Sequence, residues 1–85
     1  MFWWFDEGPR SAGRVEIGDD AFSLASTSPI TGLDRIRFVD MGGVSLERGL
    51  LHVRRRCEPT VHIGSLDGPG ALNELAEQLS RSSAG

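Results

Sequence analysis

The spacing of apolar residues along the chain changes near Leu66. Upstream, apolar residues alternate with polar ones, as expected for strands with one buried face, in the pairs Val15/Ile17, Ile36/Phe38, Leu51/Val53 and Val61/Ile63. Downstream, the spacing becomes helical over Leu72, Leu75, Ala76 and Leu79. A sheet with one apolar face must be covered, and this helix can cover it. The pattern therefore predicts an α+β protein: an antiparallel curled sheet or small barrel of five to seven strands, closed by one C-terminal helix.

Seven candidate strands precede the helix. They cover residues 2–5, 14–18, 21–25, 34–41, 44–47, 50–56 and 60–66. Gly42-Gly43 and Arg48-Gly49 are predicted to reverse the chain on either side of strand 44–47. Residues 26–33 are predicted to be a connection. Because Pro69 is favoured at a first helical position, the helix is predicted at about 69–81, with a frayed tail over 82–85.

The length of 85 residues predicts a single domain, 1–85, in which the aromatic strand 1–5 precedes a sheet over 14–66. Short connections favour antiparallel pairing of strands that are consecutive in the chain. The alternative architecture is an open antiparallel sheet of four or five strands, with the helix across one face, completed by a symmetric partner chain.

The run DRIRFVDMGGVSLERGLLHVRRR leads through TVHIGSL to PGALNELAEQL. This order of short strands and a final helix, from Arg14 to Arg81, resembles that of small bacterial pleckstrin-homology-like (PH-like) domains. The resemblance implies a curled barrel whose open end is closed by the helix. Family members that bind phosphoinositides carry basic residues on the first hairpin, whereas the equivalent hairpin here, RVEIGDDAFSL, has Asp19-Asp20 at its tip. Phosphoinositide binding is therefore not expected.

Composition narrows the classes of partner. The net charge of -3 argues against nucleic-acid binding, which needs an excess of Lys and Arg. No apolar run approaches the roughly 20 residues that span a bilayer, and Asp6 and Glu7 end the apolar start MFWWF, so we expect a cytoplasmic protein without membrane insertion.

Alternation directs Cys57, the one cysteine, away from His52 and His62, which predicts a buried structural thiol.

The segment MFWWF is aromatic on both faces of its predicted strand. Alternation places Phe2 and Trp4 on one face and Trp3 and Phe5 on the other. One face can join the core, whereas the other must be covered by a loop, contact a second chain or remain exposed. Phe2, Trp3 and Trp4 are therefore interface candidates, and burial within the chain is the alternative.

The hairpin LLHVRRRCEPTVHIGS contains a second candidate site. Alternation puts His52, Arg54 and Arg56 on one face, and His62 joins them if the turn is centred near Glu58. Four such cations would suit a phosphate or carboxylate. The alternative is a solvated outer face whose arginines pair with nearby acids. Two histidines without a third ligand do not make a metal site, so no metal is predicted.

These observations favour a non-enzymatic protein. The sequence predicts a protein-interaction or self-association module that binds a protein partner or forms a homodimer, with no cofactor. Its alternative function is binding of an anion or small ligand by the outer face of strands 50–56 and 60–66.

Overall fold

A computed structural model describes residues 1–26 and 35–84 of the chain. These residues form seven strands: β1 (Phe2–Phe5), β2 (Ser11–Ile17), β3 (Ala21–Ser26), β4 (Arg35–Arg37), β5 (Met41–Glu47), β6 (Leu50–Arg55) and β7 (Val61–Ser65). A 3-10 helix, Phe38–Asp40, lies between β4 and β5, and helix α1 (Pro69–Ala84) ends the described chain. The seven-stranded antiparallel sheet with one C-terminal helix confirms the predicted α+β class.

The strand order across the sheet is β4-β3-β2-β1-β7-β6-β5, and every neighbouring pair is antiparallel. The first strand therefore pairs with the last, and the two edges are β4 and β5, which are consecutive in the chain. A flat sheet of this width would hold its edges about 29 Å apart. The short link from Arg37 to Met41 spans at most about 15 Å, so the sheet must curl.

The core lies inside this curl, beneath the helix. It contains residues from six of the strands and three leucines of α1, with the largest side chain, Trp4, only 1% exposed. Its buried members are Trp4, Phe22, Leu24, Ile36, Met41, Leu51, Val53, Val61, Ile63, Leu72, Leu75 and Leu79. The apolar stripe of the helix thus covers the sheet, as the change of period predicts. Ile17 is an exception to the predicted core: it ends β2 and is 36% exposed.

The predicted continuous strand over 34–41 is wrong for its described part. β4 ends at Arg37, and the chain then forms the 3-10 helix before β5 begins. Two backbone hydrogen bonds hold this break: the N–H of Phe38 donates to the oxygen of Asp20 at 2.9 Å, and that of Arg56 donates to the oxygen of Asp40 at 2.9 Å. The break carries the chain from one edge of the sheet to the other, which a continuous strand could not do.

The reversal predicted at Gly42-Gly43 is also wrong. Both glycines lie within β5, where the pairing with β6 shifts register between Met41 and Gly43. The second predicted reversal is confirmed at Arg48-Gly49, where both residues have positive φ, 53° and 76°. Two consecutive positive φ values are typical of the tight hairpin turn that suits the strand twist.

Other boundaries differ by a few residues. β2 begins at Ser11 rather than 14, because Ser11 pairs with Trp4 of β1. α1 continues beyond the predicted end at 81, through Ala84. Of the predicted connection 26–33, residue 26 ends β3 and the remainder lies outside the described residues.

Within residues 1–26 and 35–84, the structure has no helix with the length and apolar character needed to cross a membrane.

Candidate functional site

Ring side chains form a continuous row across the outer face of β1, β7 and β6. Phe5 lies opposite His62 in the sheet, and His62 lies opposite His52. The ring centroids are 4.9 Å apart in both pairs. Trp3 extends the row along β1, with its ring stacked on that of Phe5 at 5.9 Å and an interplanar angle of 3°. We call Trp3, Phe5, His62 and His52 the ring row.

The strand period separates the aromatic residues of β1 as predicted. Trp4 enters the core opposite Ile63, and Phe2 packs partly buried against the same core. Trp3 and Phe5 lie on the other face and are half-buried. Of the three interface candidates, the structure therefore places only Trp3 on the outer face, where Phe5 accompanies it.

A glycine in β7 provides the space for Trp3. Gly64 pairs with Trp3 across β1 and β7, and its buried backbone lies directly under the indole. A Cβ added to Gly64 would stand 2.2 Å from Cε2 of Trp3 and 2.5 Å from Nε1. No carbon contact is that short, so any side chain at position 64 would displace the indole.

A cation from the β1–β2 loop covers part of the ring row. The guanidinium carbon of Arg10 lies 4.9 Å from the ring centroid of Trp3 and 5.5 Å from that of Phe5. Both distances are within the range of a cation–π interaction. The loop thus covers the two rings in part, which is one of the outcomes that the sequence allowed, and both rings remain partly accessible to solvent.

The two histidines at the far end of the row contact each other through their ring nitrogens. Nδ1 of His52 lies 2.8 Å from Nδ1 of His62. At this distance one nitrogen must donate a hydrogen and the other must accept it. Across the part of the chain that the structure describes, no group of three His, Cys, Asp or Glu side chains is placed to hold a metal ion.

The four predicted binding residues occupy three different places. His52 and His62 belong to the ring row, whereas Arg54 is exposed and reaches over β5, where a Cβ added to Gly43 would stand 2.6 Å from its Nη2. Arg56 follows the end of β6 and lines a cleft at the edge of the sheet. The structure therefore brings the histidines together but does not place all four cations around one point.

Sequence reasoning missed Arg55, whose side chain is only 8% exposed. Its Nε donates to the backbone oxygen of Pro59 at 2.8 Å, and its Nη1 donates to Glu58 at 3.0 Å. Its Nη2 lies 3.5 Å from Oδ2 of Asp6. Alternation does give a signal for this residue, since an inward position falls between the outward Arg54 and Arg56. Arg55 thus ties the end of β1 to the loop between β6 and β7.

The carboxyl group of Asp6 is held in its charged form. The backbone N–H of Gly8 donates to its Oδ1 at 3.1 Å, and this bond is the main reason that the pKa of Asp6 is lowered from its ordinary value. Partial burial acts in the opposite direction, while other backbone N–H groups and the charge of Arg55 lower the pKa further.

The cleft beside Arg56 has a volume of about 380 Å³ and lies between β4 and the loop that follows β6. Four arginines line it: Arg35, Arg37, Arg55 and Arg56. We call this cavity the arginine cleft. Cys57 also lines this cleft and is exposed, so the prediction of a buried thiol is wrong. The physical reason is that β6 ends at Arg55, so strand alternation no longer applies at position 57.

Comparison with known protein families, curated proteins and solved structures finds no match to this chain.

Proposed function

We propose that this chain is a non-enzymatic interaction module that associates with a second copy of itself through the ring row. The observation that carries the proposal is the continuous contact of four rings across three strands, with two large aromatic side chains that remain partly accessible to solvent. A large aromatic side chain can bury about 150–250 Å². A partner that covers the still accessible surface of Trp3 and Phe5 would therefore favour association.

The chemistry of the row favours a second copy as the partner. The same face contains both halves of a cation–π pair, the guanidinium of Arg10 and the rings of Trp3 and Phe5. In a twofold dimer, one surface meets itself, so each group must find its complement on the same surface. Arg10 is exposed and belongs to a loop, and from there it can cover the rings of the facing copy.

The row is also a suitable place for a sheet-to-sheet contact. It lies on β1, β7 and β6, none of which is an edge strand. The backbone groups of β1 and β7 are already paired on both sides. Association would therefore depend on ring packing, which supplies most of the energy in interface centres.

The test is the solution mass of the chain against concentration, measured by size-exclusion chromatography with light scattering. We expect a dimer that dissociates on dilution, and we expect Trp3→Ser with Phe5→Ser to give a monomer under the same conditions. The matched control is Val39→Ser, because Val39 is apolar, 64% exposed and outside the row.

A wild-type chain that stays monomeric at every concentration would overturn the proposal. An unchanged dimer in the double variant would overturn the role of the row. Far-UV circular dichroism of each variant shows whether the fold is retained, so that loss of the dimer is not mistaken for unfolding.

We further infer a PH-like architecture for this chain. Seven short antiparallel strands followed by one C-terminal helix support that inference, as does a sheet curled so that its two edges are consecutive strands. An experimental structure of the chain that fails to superpose on PH-like domains over both the sheet and α1 would contradict it.

A further inference from the structure

The arginine cleft combines a small concave volume with an excess of positive charge. Its four arginines face two carboxylates, those of Asp40 and Glu58, among the described residues that line it. The lining residues alone carry a formal excess of two positive charges, while from outside the lining Asp20 pairs with Arg35 at 3.3 Å and Asp6 lies 3.5 Å from Arg55. A volume of about 380 Å³ falls in the range of small-molecule sites.

The cleft is built from parts that are distant in the sequence. Arg35 and Arg37 alternate outward on β4, on either side of the buried Ile36. Arg56 and Cys57 follow β6, and the N–H of Arg56 donates to the oxygen of Asp40 at 2.9 Å. This bond holds the loop after β6 against the 3-10 helix beside β4. The backbone therefore holds the segments that carry these arginines close together, whatever rotamers their side chains adopt.

One arginine of the cleft is fixed in place and has unused hydrogen-bonding capacity. Arg55 is more than nine-tenths buried, and its Nη2 is a buried atom that makes no hydrogen bond to any described residue. This Nη2 lies 3.5 Å from Oδ2 of Asp6, beyond the length of a good hydrogen bond. A buried guanidinium with an unpaired N–H is costly unless another acceptor completes it.

We propose that the arginine cleft binds the phosphate group of a small phosphomonoester. A phosphomonoester carries about 1.5 to 2 negative charges at neutral pH and three acceptor oxygens, so it can accept from more guanidinium groups at once than one carboxylate can. Guanidinium groups donate two parallel hydrogen bonds to phosphate oxygens, so several arginines around one site suit this ligand. This proposal does not depend on association through the ring row.

Glu58 competes with the ligand. Its Oε2 accepts from Nη1 of Arg55 at 3.0 Å, while its side chain is 65% exposed and can turn into solvent. A phosphate that takes its place would gain the Nη1 donor of Arg55, beside the exposed Arg56 and Arg35, whose Nη2 lies 3.3 Å from Oδ1 of Asp20. Removing the charge of Glu58 should therefore strengthen binding, whereas removing the charge of Arg35 or Arg56 should weaken it.

Cys57 provides a direct readout because it is the one cysteine of the chain and lines the cleft. The experiment measures the rate at which iodoacetamide, a neutral reagent, alkylates this thiol in the full chain, with inorganic phosphate or pyrophosphate added at constant ionic strength. We expect protection that saturates with concentration. Chloride at the same ionic strength should give none.

Variants assign the protection to the cleft. We expect Arg56→Gln and Arg35→Gln each to raise the half-protecting concentration about three- to tenfold, and Glu58→Gln to lower it about threefold. Arg14→Gln is the matched control, because Arg14 is an exposed strand arginine outside the cleft. Backbone amide shifts of residues 35–37 and 55–58 give a second readout in case a bound phosphate leaves the thiol open.

Absence of both saturable protection and amide shifts would overturn the proposal, and so would equal behaviour of Arg56→Gln and Arg14→Gln. A second arm identifies the source of the phosphate, using phosphatidylcholine vesicles with and without phosphatidic acid, a lipid whose headgroup is a phosphomonoester. Protection by the acidic vesicles without protection by soluble phosphate would contradict a small soluble ligand.

Discussion

Nδ1 of His52 and Nδ1 of His62 lie 2.8 Å apart, on neighbouring strands that the chain joins through a short loop. The two rings meet edge to face, with an interplanar angle of 86°. A hydrogen bond between two like atoms requires them to differ in protonation, so this contact imposes different tautomers on two chemically identical side chains.

We therefore predict that one Nδ1 of the pair carries a hydrogen and the other is bare. Long-range ¹H–¹⁵N spectra at pH 8 should show one protonated and one unprotonated Nδ1. Replacing His62 by Phe keeps a ring in the row but removes the partner, so it should change the Nδ1 signal of His52. Two identical Nδ1 signals in the wild-type chain would contradict the contact.

The same substitution at the two adjacent tryptophans should cost very different amounts of stability. Trp4→Ala removes a core side chain that is 1% exposed and should cost about 3–5 kcal/mol in the free energy of unfolding. Trp3→Ala removes a partly buried ring outside the core and should cost about 1 kcal/mol. Urea unfolding of both variants measures the difference, and equal losses would mean that the two faces of β1 are wrongly assigned.

Gly64→Ala should displace Trp3 without deleting any aromatic group. The new methyl would stand 2.2 Å from the indole, so the ring must leave its position over β7. We expect the indole N–H resonance of Trp3 to shift and the proposed dimer to weaken. Gly42→Ala is the control, because the atom nearest an added Cβ there is 3.8 Å away, an ordinary contact. A dimer that is unaffected by Gly64→Ala would indicate that the position of Trp3 is irrelevant to association.

Asp6 should contribute stability that acid removes. Its pKa is lowered in the fold, chiefly by the N–H of Gly8, so its contribution is present above the ordinary pKa of about 3.9 and is lost as the pH falls through the lower folded value. Asp6→Asn should cost about 1 kcal/mol at pH 7 and less below about pH 4.

Unfolding of the wild-type chain and Asp6→Asn between pH 2 and 7 gives this difference directly. Glu47→Gln, at an exposed carboxylate at the end of β5, controls for the loss of a negative charge. A difference between wild type and Asp6→Asn that does not shrink in acid would show that the carboxylate form of Asp6 is not what stabilises the loop.

The turn between β5 and β6 should be improvable. Arg48 has a φ of 53°, a conformation that Asn adopts more readily than Arg, and Gly49 follows it with a φ of 76°. Arg48→Asn creates the Asn-Gly pair favoured in such turns and should stabilise the domain by about 0.5–1 kcal/mol. Thermal unfolding should show a Tm raised by several degrees, whereas Arg48→Ala should show no increase.

The local sequence pattern predicts an element correctly where the residues of that element alone determine its conformation. The helix of Leu72, Leu75 and Leu79, the turn at Arg48-Gly49 and the two faces of β1 all follow from spacing or from backbone preferences within a few residues. These features need no knowledge of the rest of the chain, because the period of a helix or strand fixes which side chains share a face.

Local pattern failed where the pairing of strands distant in the sequence decides the backbone. Ile36 and Phe38 alternate as they would in one strand, yet the chain must leave β4 after Arg37 to reach the opposite edge of the sheet. For the same reason Gly42 and Gly43 became part of β5 instead of a turn.

What the sequence alone determined is the α+β class, a sheet of five to seven strands before one covering helix, and the separation of Trp3 and Phe5 from Phe2 and Trp4 on the two faces of β1. What only the tertiary structure decided is which of these groups meet. β1 pairs with β7, although the two strands lie near opposite ends of the sequence, and this pairing places Phe5 beside His62. The curl brings Arg35, on the edge strand β4, near Arg56, which follows β6 at the far side of the sheet. The periodicity of a strand shows which face of the sheet a side chain lies on. Which side chains then meet depends on the pairing of distant strands and on the closure of the sheet, and a short stretch of sequence contains no information on either.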